Sequence, residues 1–353
     1  MIMDKENKEP VKHKRRVRYK GAHPRHFKDK YKEHDFEKYP DDVQKVIDSG
    51  KTPAGTHRPI CVNEILEILK PAPGQIGLDA TLGFGGHTVE LLNKIAPNGR
   101  LFAIDADPIE IVRTESRLRK LGFSDKELII KRSNFAGMFK LLEEVPEGFD
   151  FILADLGISS MQLDNPERGF TFKREGLLDL RLNPHRGRSA AELIRILDEE
   201  QLENLFIEHS DEPCARKIAA AIFKNKDTIN KTTDLANVIA FALTEKSFSD
   251  CPASVTTSIR RVFQALRIEV NDEFNVLEQF LRNLPFCLKD QGRVAVLCFH
   301  SGEDKRVMKY FEQGLKDGSY SDISHEPIRP NANEQYSNPR STSALLRWAM
   351  KNE

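Results

Sequence analysis

Acid, glycine and histidine gather in the run Asp79-Ala80-Thr81-Leu82-Gly83-Phe84-Gly85-Gly86-His87. Glycines at a strand-to-helix turn let a ligand touch backbone, and the helix that follows offers unpaired N–H groups. Asp105 and Asp107 stand 22 and 24 residues beyond Gly83, where a carboxylate ending the second strand can hold ribose hydroxyls. The loop lacks the G-x-G-x-x-G of a dinucleotide site. An acid beside the first strand, Asp79, suits the ammonium and sulfonium end of S-adenosyl-L-methionine better than a pyrophosphate. His87 reads either as a helix N-terminal capper or as a ligand contact.

A second cluster runs from Phe151 through Asp155, Gly157, Ser159 and Ser160 to Gln162. Ligands of open α/β sheets sit beyond the carboxyl ends of the strands, and Asp155 occupies such an end. If the cofactor carries a methyl group, Asp155, Ser159 and Ser160 face the methyl acceptor. Arg168, Phe170 and Phe172 follow, then Asp179 and Arg181. So dense a mixture of acid, arginine and aromatic reads as a site. The competing reading has the two phenylalanines burying a loop and Asp179–Arg181 forming a structural ion pair. Gln264, Arg267 and Asn271 share a helix face at i, i+3, i+7, a pattern a solvated face also produces. His300 lies at another strand end, and Arg340 in a basic, hydroxyl-rich loop suited to phosphates. No nucleophile elbow, HExxH or EF-hand loop occurs, so no metal is expected.

These residues need a scaffold. Apolar runs at 75–80, 100–104, 127–131, 149–154 and 293–299 predict strands, and the early ones alternate with predicted helices at 59–69, from the glycine turn through 95, and at 108–121. That order means a parallel sheet with crossover helices. From 163 to 254 no convincing strand appears. Four helices are predicted there, at 189–197, 199–207, 213–224 and 233–246, each opening near a Ser, Asp or Thr that can cap it. Residues 255–284 predict one long helix or a broken pair, 302–315 a helix and 344–349 a last strand. The expected fold class is α/β: a Rossmann-like domain of residues 57–162 and 255–353, interrupted by an all-helical insertion of 163–254, behind a basic extension of 1–56.

The 353 residues carry 54 Lys+Arg and 54 Asp+Glu. A uniformly basic coat for nucleic acid is excluded, but a local patch is not. Residues 1–35 hold 12 Lys/Arg against 6 Asp/Glu, with Tyr19, Phe27 and Tyr31 interleaved. That arm suits an RNA backbone or is simply solvated. No apolar run approaches the roughly 18 residues of a membrane span, and no signal-peptide core is present. Five scattered cysteines without a CxxC argue against a disulfide framework or zinc site and for a reducing, cytoplasmic compartment.

Taken together, HRPICVNEIL, LDATLGFGGHT, AIDADP, ILADLGISSMQLDNPERGFTF, LDLRLNP, FQALRIEVNDE, VLCFHSGEDKRV and NPRSTSALLR resemble the RsmH (MraW) family, in order, from His57 to Arg347. The resemblance implies a Rossmann-like methyltransferase domain with a helical insertion, S-adenosyl-L-methionine as cofactor, and N4 of a cytidine in bacterial 16S rRNA as target. It implies the small ribosomal subunit as partner and leaves a homodimer open. The implied cofactor contacts are Gly85, Gly86, His87, Asp105, Phe135, Asp155 and Gln162; Asp79 and Gly83 join them from the loop itself. The expected substrate side is Ser159, Ser160, Arg168, Phe170, Phe172, Asp179, Arg181, Arg267, Asn271, His300 and Arg340, with Asp155 catalytic. This chain departs from the family pattern at Gly302, where a bulky residue is usual, at Asn183, where an acid is common, and in its longer arm, as a second-copy paralogue would. Competing functions are methylation of another RNA or DNA cytosine or of a protein amine, and a non-catalytic RNA-binding assembly factor. A nicotinamide dehydrogenase is disfavoured by the acid at Asp79.

Overall fold

The computed structural model describes residues 59–353. The basic extension, with Tyr19, Phe27 and Tyr31, lies outside the described residues, as do the side chains of Ser160 and Asp164.

Seven strands form one sheet: β1 (Ile76–Asp79), β2 (Arg100–Asp105), β3 (Leu128–Arg132), β4 (Phe149–Asp155), β5 (Leu288–Cys298), β6 (Tyr320–Ile323) and β7 (Leu345–Lys351). Their order is β3-β2-β1-β4-β5-β7-β6. The first five run parallel, while β7 pairs antiparallel with both β5 and β6. Strand β6 has no counterpart in the predicted elements. It is four residues long and exposed at its centre, so it carries little apolar pattern.

The sheet is buried on both faces, as a parallel sheet must be. Successive side chains point to opposite layers. Phe102, Ile104, Ile152, Ala154, Val294 and Val296 pack in one core, and Leu101, Ala103, Phe151, Leu153, Ala295 and Leu297 in the other. The second core is covered by α1 (Val62–Leu69), α2 (Gly86–Ile95) and α3 (Glu110–Lys120).

A third core is helical. The short α4 (Ser160–Asp164) leads out of the sheet to α5 (Ala190–Ile196), α6 (Glu199–Ser210), α7 (Ala215–Asn225) and α8 (Thr232–Thr244). Ser189 and Asp198 form capping boxes with Glu192 and Gln201, which fixes the starts of α5 and α6. The next helix, α9 (Ala253–Asn271), ends at Asp272, whose φ of 53° breaks the run before α10 (Glu273–Cys287). The broken-pair alternative for residues 255–284 is therefore the one adopted. The expected domain boundary at Val255 falls inside α9. Val255, Ile259, Val262, Phe263 and Leu266 of that helix pack in the helical core, whereas Phe280, Leu281 and Leu284 of α10 pack on the sheet. The chain crosses between the two cores at the Asp272 break. Helix α11 (Ser301–Lys316) and the short α12 (Ala332–Ser337) complete the structure.

Candidate active site

The sheet order reverses direction between β1 and β4, and such a switch point opens a crevice at the strand ends. A cleft of about 400 Å³ lies there, within the range of small-molecule sites. Its walls come from the turn after β1, the ends of β2, β4 and β5, α9 and the 339–343 turn.

The glycine turn is held from three sides. Gly83 N–H donates to Asp105 Oδ2 at 2.7 Å, Thr114 Oγ1 donates to Gly83 O at 2.6 Å, and Gly85 N–H donates to Leu82 O at 2.6 Å. Gly83 and Gly85 have φ of 47° and 72°, in the region that favours residues without a Cβ. Helix α2 begins at the next residue, so its first N–H groups open toward the cleft.

Three carboxylates lie at the strand ends, and they differ. Asp79 is fully buried. Its Oδ2 accepts from Thr88 Oγ1 at 2.6 Å and its Oδ1 from Thr81 N–H at 3.1 Å. It stands behind the cleft wall rather than on it, so the expected role toward a sulfonium or ammonium does not fit its position. An acid on the first strand reads the same in sequence whether it faces a ligand or staples the turn. Asp105 lines the cleft and accepts from Gly83 N–H and, at 2.8 Å, from Asp107 N–H. Burial pushes its carboxyl up to about 6, against the pull of those two N–H donors. Asp155 also lines the cleft. Its N–H donates to Thr81 Oγ1 at 2.6 Å, which ties β4 to the glycine turn. Burial raises its carboxyl to about 6; His87 opposes the shift, and Asp79 and Glu303 add to it. His87, which caps no N–H, sits over Asp155 with Nε2 2.9 Å from Ile60 O and Nδ1 3.6 Å from Asp155 Oδ2.

Gly83, Gly85, Gly86, His87, Asp105, Phe135, Asp155, Ser159 and Gln162 are thus brought to one cleft. Gln162 reaches it with its amide already engaged. Oε1 accepts from Ser159 N–H at 2.8 Å and Nε2 donates to Asp107 Oδ2 at 2.7 Å. Ser159 is the N-cap of α4, whose first residue is Ser160. From the later blocks, Arg267, Asn271, His300 and Arg340 line the same cleft.

The remaining expected substrate residues are not brought to it. Arg168 is buried and pairs with the fully buried Asp107 at 2.7 Å. Its other donors go to the carbonyls of Arg181 and Leu182. A guanidinium so consumed holds no phosphate. Phe170 and Phe172 are buried in the helical core, with Phe172 edge-on to Phe248 and tilted against Phe263, so neither ring is placed to stack on a base. Asp179 and Arg181 form a two-pronged pair at 2.8 and 2.6 Å. For the two phenylalanines and the Asp179–Arg181 pair the arrangement matches the plainer of the two readings; for Arg168 only a substrate role was expected. Burial and partners decide between them, and neither is visible in residue type.

Two acids were not singled out beforehand: Glu273, which lines the cleft, and Glu303, which is buried behind His300. Glu273, six residues after Arg267, binds it at 2.8 and 2.9 Å across the Asp272 break. Burial works against the Arg267 charge, and Glu273 more than restores it. Glu303 accepts from Phe299 N–H at 2.7 Å and lies 3.2 Å from His300 Nε2. Burial alone would raise its carboxyl; His300, the Phe299 N–H and Arg267 together hold it below the usual range. The signal for Glu303 was its place in the first turn of a helix beginning at a strand end.

A family model described as the MraW methylase family matches residues 54–352. The chain belongs to the MraW methylase family. This MraW-family chain is 51% identical over 349 residues to "Ribosomal RNA small subunit methyltransferase H 1" of Lachnoclostridium phytofermentans, covering 98% of this chain and 95% of the relative. It is also 51% identical to "Ribosomal RNA small subunit methyltransferase H 2" of Alkaliphilus metalliredigens, over 96% of this chain and 98% of the relative. Against "Ribosomal RNA small subunit methyltransferase H" of Cyanothece sp. it is 38% identical, over 87% of this chain and 98% of the relative. At 98% and 96% coverage the relatives with numbered copies align through most of the basic arm, while the unnumbered one leaves 13% of this chain unmatched. This MraW methylase is a methyltransferase with a Rossmann-like fold.

Proposed function

We propose that this protein transfers a methyl group from S-adenosyl-L-methionine to N4 of a cytidine in 16S rRNA of the small ribosomal subunit. The observation that carries the reading is the placement of Asp105 and Asp155 on one cleft, at the ends of β2 and β4, either side of the rigid glycine turn. The first carboxylate fits a ribose diol, and the second faces the space left for an acceptor. Five unpaired cysteines, all without disulfides, agree with a cytoplasmic enzyme.

The residues present fit the cofactor. Asp105 lines the cleft with acceptor capacity beyond that used by Gly83 and Asp107, Phe135 lines it as well, and the Gly85-Gly86-His87 backbone opens α2. When bound, S-adenosyl-L-methionine supplies an electrophilic methyl group on a positively charged sulfur.

The chain's own residues do the rest. N4 of cytosine is a poor nucleophile because its lone pair is delocalised into the ring. Holding it in line and accepting its hydrogens as it pyramidalises lowers the barrier. Asp155 is the carboxylate positioned to accept, and it receives the proton that becomes acidic once the N–C bond forms. His87 Nδ1, 3.6 Å away, faces the same oxygen. The cytidine must leave its stack to enter. Incubation with labelled S-adenosyl-L-methionine and small subunits lacking this mark, followed by nucleoside mass analysis, tests the reading. Label on N4-methylcytidine is expected; label on another base, or on protein, overturns it.

A further inference from the structure

Residues 180–189 form an arch rooted in the cleft wall. The Asn271 side chain grips its base: Nδ2 donates to Leu180 O at 2.8 Å, and Oδ1 accepts from Leu182 N–H at 2.7 Å. The buried Arg168 guanidinium donates to the carbonyls of Arg181 and Leu182 at 3.2 and 2.9 Å. Arg181, paired with Asp179, reaches across the arch and donates from Nη1 to Gly187 O at 3.0 Å. Inside it, His185 N–H donates to Asn183 Oδ1 at 3.0 Å and Arg186 N–H to Asn183 O at 3.1 Å. Ser189 then caps α5 with Glu192. Leu182 lines the cleft, so the arch continues its wall as a fixed piece of backbone.

What the arch presents is cationic charge that the fold does not use. His185, Arg186, Gly187 and Arg188 are all exposed. The acids at its two ends are occupied, Asp179 by Arg181 and Glu192 by Ser189. Among the described residues no carboxylate pairs with Arg186 or Arg188. Arg168 and Arg181 build the arch; Arg186 and Arg188 are displayed on it. A pinned backbone bearing two unconsumed guanidinium groups matches phosphate oxygens in shape and charge.

We propose that the 183–188 arch docks the backbone phosphates of the single-stranded RNA flanking the nucleotide held in the cleft. This inference rests on the RNA methyltransferase reading above. A base that must be unstacked to react arrives with single-stranded neighbours, and their phosphates need a cationic track beside the cleft.

The test measures binding of the full chain to a fluorescent single-stranded 16S rRNA fragment carrying the target cytidine, across a salt series. Each phosphate contact on a single strand contributes a slope of about 0.7 in log Kd against log salt. The R186A/R188A variant is expected to lower the slope by about 1.4 and weaken binding about tenfold at low salt, with cofactor affinity and melting temperature unchanged. R186K/R188K, which keeps the charge, is expected to recover the slope. An equal slope for wild type and R186A/R188A overturns the proposal. So does an unchanged slope on naked RNA combined with a raised KM on whole subunits, which would assign the arch to a ribosomal protein. Absence of RNA binding by the wild type would instead overturn the RNA reading as a whole.

Discussion

His87 Nδ1 lies 3.6 Å from Asp155 Oδ2, while Nε2 of the same ring is committed to Ile60 O at 2.9 Å. A carbonyl only accepts, so Nε2 carries a hydrogen and Nδ1 is the atom turned to the Asp155 carboxyl. In the proposed mechanism Asp155 accepts as an anion. With its carboxyl pushed up to about 6 by burial, single-turnover transfer is expected to rise with pH through about 6 and level off above. His87 is one of the groups holding that carboxyl down, so His87→Gln should move the acid limb toward higher pH. A flat profile from about pH 5 to 8 would remove the carboxylate from the mechanism.

Asp155→Asn should reduce transfer at least about a hundredfold, since loss of one preorganised charged acceptor commonly costs that much. Calorimetry should still show cofactor binding. Stability should move the other way. A carboxyl raised in the folded state favours folding below its ordinary range near 3.8, and that advantage is lost as pH rises through about 6. Above about pH 6 the Asn variant should therefore melt higher, by about 1 kcal/mol in stability, and near pH 4 it should not.

Arg168→Ala leaves Asp107 fully buried and without its guanidinium partner. The expected loss is about 3–5 kcal/mol in denaturant unfolding. An RNA contact would behave differently, weakening RNA binding without changing the unfolding midpoint.

Phe172→Ala should open a cavity in the helical core and cost about 3–5 kcal/mol. The residual folded enzyme should keep its KM for RNA. A stable variant with a raised KM would restore the stacking role that its buried position argues against.

At Gly302 an added Cβ would lie 2.7 Å from Phe274 Cζ, and Arg306 stacks 3.5 Å over that ring. Phe274 thus fills the space that a side chain at position 302 would need. Gly302→Leu is expected to destabilise by about 1–3 kcal/mol through overpacking, and Phe274→Ala in the same chain should recover part of the loss in thermal melts.

The sequence by itself determined the alternation of strands and crossover helices, the helical insertion, the glycine turn, and Asp105 and Asp155 at strand ends. These follow from period-2 and period-3.6 apolar patterns and from turn chemistry, which are local. It also drew residues of eight separate segments into one family pattern. Tertiary structure alone decided which polar groups remain available. Asp79, Arg168, Asp179 and Arg181 are consumed by Thr88, Asp107 and one another, whereas Asp105, Asp155 and His300 reach the cleft. Their types and spacing are equally suggestive. What separates them is the identity of a partner up to 61 residues away, as for Arg168 and Asp107, and the burial that goes with it. A charge in a folded protein is either a strut or a tool according to whether the fold has already satisfied it, and only the packed chain makes that assignment.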